Sequence, residues 1–166
     1  NDTSFYNKNS SNIGFSVLPL PLIFSANFGE IIFNTNLSYS YFFKRNLEFS
    51  ISGKYGYIRA FDKAFLSEVN VLLFNPYARY YFLKSKYFFE TGYAFGISKE
   101  EGQINTIANI NNPSVGIGLR RNIYFRNKKI PNKFSIDLSY KRIIGTSNYP
   151  LVIYYKEIRL SLIYNL

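Results

Sequence analysis

Residues 158–166 read Ile158-Arg159-Leu160-Ser161-Leu162-Ile163-Tyr164-Asn165-Leu166, and every second position from Ile158 to Leu166 is large and apolar. Arg159, Ser161 and Asn165 occupy the alternate positions. A period of two belongs to an extended strand, because successive side chains point to opposite faces. One face of this strand is much wetter than the other, so it belongs to a sheet with two unlike sides.

The same alternation recurs upstream. Strands are predicted near 13–24, 31–43, 47–61, 69–82, 87–98, 114–125, 134–144 and 152–166, eight in all, within one domain of 166 residues. Residues 1–12 are expected to form an N-terminal periplasmic segment. Three connections are basic and mostly short: Lys44-Arg45-Asn46, Leu83 to Lys86 and Arg126 to Lys133. The other four are Ser25 to Glu30, Asp62 to Glu68, Lys99 to Pro113 and Gly145 to Leu151, the third being the longest and richest in Asn. An even strand number puts both termini on the side of the basic turns. These features predict an all-β, eight-stranded antiparallel up-and-down barrel.

Aromatic residues are 20% of the chain, with 17 Phe, 16 Tyr and no Trp, yet mean hydropathy is only −0.10. A barrel that shows lipid one face and water the other combines these properties naturally. No apolar run approaches the roughly 18 residues of a membrane helix, so a membrane would be crossed by strands, each needing about 9–11 residues. Tyr41-Phe42-Phe43 with Phe49, Tyr80-Tyr81-Phe82 with Tyr87-Phe88-Phe89, Tyr124-Phe125 with Phe134, and Tyr164 all flank the basic-turn side. They read as an interfacial girdle, where ring bodies and polar edges are both satisfied.

Alternation alone does not say which face lines the barrel, since a soluble carrier would put its apolar face inward. An eight-stranded interior is only wide enough to be filled by side chains, and the aromatic parity would overfill it. The other parity is therefore assigned inward. It carries Glu48, Lys54, Arg79, Glu90, Arg120, Asp137, Lys141, Glu157 and Arg159, nearly balanced in sign. Buried charges must be paired, which predicts an internal network plugging the barrel. Arg121 falls on the lipid parity near the basic-turn end, where it would snorkel toward headgroups unless a bulge shifts the register.

The alternating terminal strand with its apolar last residue, and the run Asn75-Pro76-Tyr77-Ala78-Arg79-Tyr80-Tyr81-Phe82 before a basic turn, resemble the OmpA/OmpX-like family of small outer-membrane β-barrels. Ile158, Leu160, Leu162, Tyr164 and Leu166 would be the signal read by the barrel-assembly machinery, with Leu166 where Phe is commonest in the family. The resemblance implies an integral protein of a Gram-negative outer membrane, with periplasmic termini and a largely closed polar interior. Members include structural anchors, recognition proteins, lipid-modifying enzymes and subunits of larger machines. The absence of Met, even at position 1, suggests a removed signal peptide.

There is no His and no Cys, which removes the usual catalytic base and the ligands of a transition-metal site. No cofactor is expected. A net charge of +10 invites a nucleic-acid reading, but Lys44, Arg45, Lys84, Lys86, Arg126, Lys128, Lys129 and Lys133 collect in the turns, where anionic headgroups would lie. Nucleic acid is excluded as a partner and outer-membrane lipid is expected. Pro19 and Pro21 remove two donors on one side of the first strand, which reads either as an edge irregularity or displaced strand start, or as a lateral opening or partner seam. The expected role is that of a non-enzymatic structural, recognition or accessory subunit, docked to another outer-membrane protein through that seam or the Lys99 to Pro113 loop. A narrow channel or small-ligand carrier is the alternative, and a lipid-modifying barrel enzyme comes third.

Overall fold

A computed structural model describes residues 9–20, 29–61, 66–82, 86–102, 105–123, 133–144 and 156–166. Eight strands close into one barrel in sequence order: β1 Ser11–Leu20, β2 Gly29–Lys44, β3 Leu47–Phe61, β4 Leu66–Phe82, β5 Tyr87–Glu101, β6 Thr106–Asn122, β7 Phe134–Ile143 and β8 Lys156–Asn165. Every neighbouring pair is antiparallel, including β1 with β8. Closure pairs β1 with β8, and the Leu166 amide adds a bond to the Ser11 carbonyl at 2.9 Å.

The sidedness follows the pleat. Leu37, Phe49, Leu72, Phe89, Ile117, Leu138 and Leu162 stand on the outer wall at 41–59% exposure, whereas Glu48, Glu90 and Asp137 inside are at 0–1%. A soluble barrel would invert these values. On β8, Ile158, Leu162 and Leu166 are exposed and Leu160 and Tyr164 half-buried, while Arg159, Ser161, Ile163 and Asn165 are buried. Arg121 is exposed and in regular register with Ile136, so no bulge is needed to explain it.

Two expectations are corrected. The segment 99–113 is not a long loop: β5 continues to Glu101 and β6 begins at Thr106, with Glu100↔Thr106 and Gly96↔Ile110 in register. Asn is a poor strand former, but a complete ladder with β5 overrides that weak preference. Alternation is hidden there because Ile107 and Asn109 share the outer face while Ile110 points inward.

The interior is also not uniformly polar. Val69, Val71, Leu73, Ala94, Ile110 and Ile143 form a buried apolar cluster in the loop-side half. Phe42, Tyr81 and Phe88 form another at the turn side. Each of the three aromatic triplets is thus split by the two-residue period. Its outer members, such as Tyr80 and Phe82, join the girdle, and its middle member turns inward.

The ladders of β1 are uneven. With β2 they run from Ser11↔Tyr41 to Ser16↔Asn36 and, among the described residues, stop there. With β8 they shift register between Phe15 and Leu18 and then continue through Pro19↔Arg159 to Leu20↔Ile158. Pro19 therefore lies in a closed β1–β8 seam beside a bulge, a usual place for strand proline. Pro21 lies outside the described residues, as do 1–8 of the expected N-terminal segment, whose Ser11 and Asn12 belong to β1.

Candidate functional site: the ion-paired interior

Consecutive register pairs bring the charges together. Glu48 stands opposite Arg79, Arg79 opposite Glu90, and Arg120 opposite Asp137. Because all are inward, strands on opposite walls add further contacts. Arg79 donates through Nε to Glu90 Oε2 at 2.8 Å and through Nη1 to Asp137 Oδ2 at 2.7 Å. Arg120 grips Asp137 with a two-pronged fork, Nε to Oδ1 at 2.6 Å and Nη2 to Oδ2 at 2.9 Å, and reaches Glu48 Oε1 at 3.3 Å. Glu90 also accepts from Arg159 Nη2 at 3.2 Å and lies 3.2 Å from Lys141 Nζ.

Aromatic faces complete the lining. The Arg79 guanidinium sits 4.3 Å from the Phe88 ring centroid and 4.9 Å from that of Tyr77, and Arg120 lies 5.3 Å from Tyr81. The Tyr81 hydroxyl donates to Glu48 Oε2. Phe42, Tyr81 and Phe88 touch in series, with centroids 5.6 and 5.4 Å apart. They lie across the turn-side end of the charge network. Each cation thus meets carboxylates and ring faces in place of water, the condition under which buried charge is tolerated.

Of the predicted interior set, Glu48, Arg79, Glu90, Arg120, Asp137, Lys141 and Arg159 meet in this network. Lys54 is buried on the same face of β3. Glu157 pairs in register with Lys141, and its side chain is outside the described residues. The aromatic members were missed, although the signal was present: a residue between two outward rings on a strand must point in.

A proline inside the sheet is repaired locally. Pro76 has no N–H, and Asn75 and Pro76 are both absent from the β4–β5 register. Asn75 Nδ2 donates instead to the Tyr93 carbonyl at 2.7 Å. The side-chain amide thereby bonds an acceptor that the proline cannot serve.

The chemistry visible in this arrangement is charge neutralisation. The carboxylates are engaged by guanidinium or ammonium groups, and among the described residues no group of His, Cys, Asp and Glu could hold a metal ion. Nor is any helix among them long and apolar enough to cross a membrane.

No family model matches the sequence, and no curated protein matches it. Solved structures do. The N-terminal β-barrel domain of Pseudomonas aeruginosa OprF is similar over 96% of this chain and 98% of its own, at a TM-score of 0.50 and 16% identity. Ail, the attachment invasion locus protein of Yersinia pestis, is similar over 96% of this chain and 99% of its own, at a TM-score of 0.54 and 13% identity. In strand number and closure, the chain has the fold of the small eight-stranded outer-membrane β-barrels.

Proposed function

We propose that the protein is a non-enzymatic integral barrel of the bacterial outer membrane, acting as a structural, recognition or accessory subunit of a larger outer-membrane assembly. The observation that carries this reading is the filled interior. Charged side chains at 0–3% exposure are spent on one another and on ring faces, which leaves the wall and the loops as the surfaces for a partner. The exposed apolar wall supports a lipid environment, and the absence of His from the sequence argues against the acyl-transfer and proteolytic chemistry known for this fold.

The orientation follows from charge. Lys44, Arg45, Lys86 and Lys133 are exposed on the side where β1 begins and β8 ends. In this reading those turns and both termini are periplasmic, and the alternating face of β8 is the element the assembly machinery engages. The partner is another outer-membrane protein. Its contact is assigned to β1, whose ladder with β2 ends at Ser16 among the described residues, rather than to the segment 99–113, which is committed to β5 and β6.

Crosslinking in cells, followed by purification in mild detergent and mass spectrometry, tests this. A stoichiometric outer-membrane partner linked through residues of β1 is expected. A native protein that runs alone at barrel size, with no crosslinked partner, overturns the accessory role and makes it a free-standing surface protein.

A further inference from the structure

The outer wall is not smooth. On β4, Pro76 and Ala78 stand between larger neighbours, and Thr91 on β5 is in register with Ala78. These small groups floor a furrow of about 610 Å³, walled by Tyr39, Phe49 and Tyr93. All three walls are exposed side chains of the apolar face, at 38–51%.

The two hairpins that build this furrow, β2–β3 and β4–β5, end in basic turns. Lys44 and Arg45 cap the first and Lys86 the second, and all three are exposed. From Thr91 to Lys86 is about 17 Å of strand at roughly 3.4 Å per residue. At a strand tilt of about 40° that is about 13 Å of depth. One leaflet of the hydrocarbon core is about 15 Å, half of the usual thickness. A tail anchored at the turns therefore reaches the furrow with its distal half.

We propose that this furrow and the Lys44, Arg45 and Lys86 collar form one site for an anionic phospholipid, the phosphate on the cations and an acyl chain in the furrow. The proposal rests on the membrane-barrel reading and names the lipid partner of that wall. Lipid tails are as apolar as the wall, so burial alone gives no preference for this position. Preference comes from dispersion contacts that a concave wall offers and a convex one does not, and from charge, each Lys or Arg near the surface adding attraction to an anionic headgroup.

The test reconstitutes the full chain in vesicles of phosphatidylglycerol and phosphatidylcholine, transfers it to mild detergent, and counts retained lipid by native mass spectrometry. The wild type is expected to retain one phosphatidylglycerol in preference to phosphatidylcholine. Filling the furrow with Ala78→Phe, an outward substitution, lowers retention about threefold, while Ile117→Phe on another part of the wall leaves it unchanged. Replacing Lys44, Arg45 and Lys86 together by Gln cuts the preference for the anionic lipid by about tenfold or more. Equal retention of the two lipids by the wild type, or full retention by Ala78→Phe, overturns the site. A dimer mass that Ala78→Phe abolishes also overturns it, by assigning the furrow to a second copy. Heat-modifiable migration of each variant is read alongside. If the wild type itself fails to fold with amphiphile, the membrane reading fails instead.

Discussion

Arg79 on β4 and Asp137 on β7, three strands apart in the wall, meet inside the barrel with Nη1 and Oδ2 at 2.7 Å. Each is held by a second partner, Arg79 by Glu90 and Asp137 by Arg120. The contact therefore ties opposite walls together and fixes which face is inside.

Arg79→Ala removes the cation from this centre and leaves Glu90 and Asp137 short of a donor while both stay buried. Breaking a buried pair in this way costs about 3–5 kcal/mol. Lys86→Ala, on an exposed turn, should cost less than about 0.5 kcal/mol. Denaturant unfolding in detergent separates the two, and equal small effects would place Arg79 in solvent.

The Asn75 amide and Pro76 act as a unit. Asn75→Ala leaves the Tyr93 carbonyl without its donor and should cost about 1–3 kcal/mol. Pro76→Val supplies an N–H at the next position, so the double variant should regain most of that loss. An additive double variant would mean that an N–H at position 76 does not take over the Tyr93 carbonyl from the Asn75 amide.

Two glycines should behave oppositely. A Cβ on Gly96 would lie 1.9 Å from the Leu72 carbonyl oxygen, whereas one on Gly53 meets nothing within 4 Å. Gly96→Ala must push β4 and β5 apart and should lower stability by about 1–3 kcal/mol. Gly53→Ala should leave the unfolding midpoint unchanged or raise it slightly. Thermal unfolding of the two variants in the same detergent decides.

Strand number, sidedness and most of the charge network were legible in the sequence because they depend on a period of two and on the cost of unpaired charge. Arg79, Glu90 and Asp137 could be placed inside without coordinates for that reason. Phe42, Tyr81 and Phe88 were not separated from their outward neighbours, because runs of three rings hide the alternation. The early start of β6 at Thr106 was illegible for a related cause: Asn109 faces outward and Ile110 inward, reversing the pattern of the remaining strands. Asn75 as a substitute donor is a matter of side-chain geometry that spacing does not encode.

The filled interior predicts an electrically silent protein. Among the described residues, ion pairs of 2.6–3.3 Å and the three-ring cluster at the turn side cross the interior, and an ion passing them would have to break them. In planar bilayers, steady current should not exceed that of a lipid-only control. Stable single-channel openings would favour the narrow-channel alternative.

The assignment of the apolar face to lipid is tested most directly along β7. Since the chain has no Cys, single nitroxide labels can be placed cleanly through Ile136→Cys, Leu138→Cys and Tyr140→Cys on the outer face, and Ser135→Cys and Ser139→Cys on the inner. In vesicles, collision with dissolved oxygen should be high at the three outward sites and low at the two inward ones, with the period of the strand. Oxygen access that does not alternate, or that is higher at Ser135 and Ser139, would contradict a lipid-facing apolar wall around an ion-paired interior.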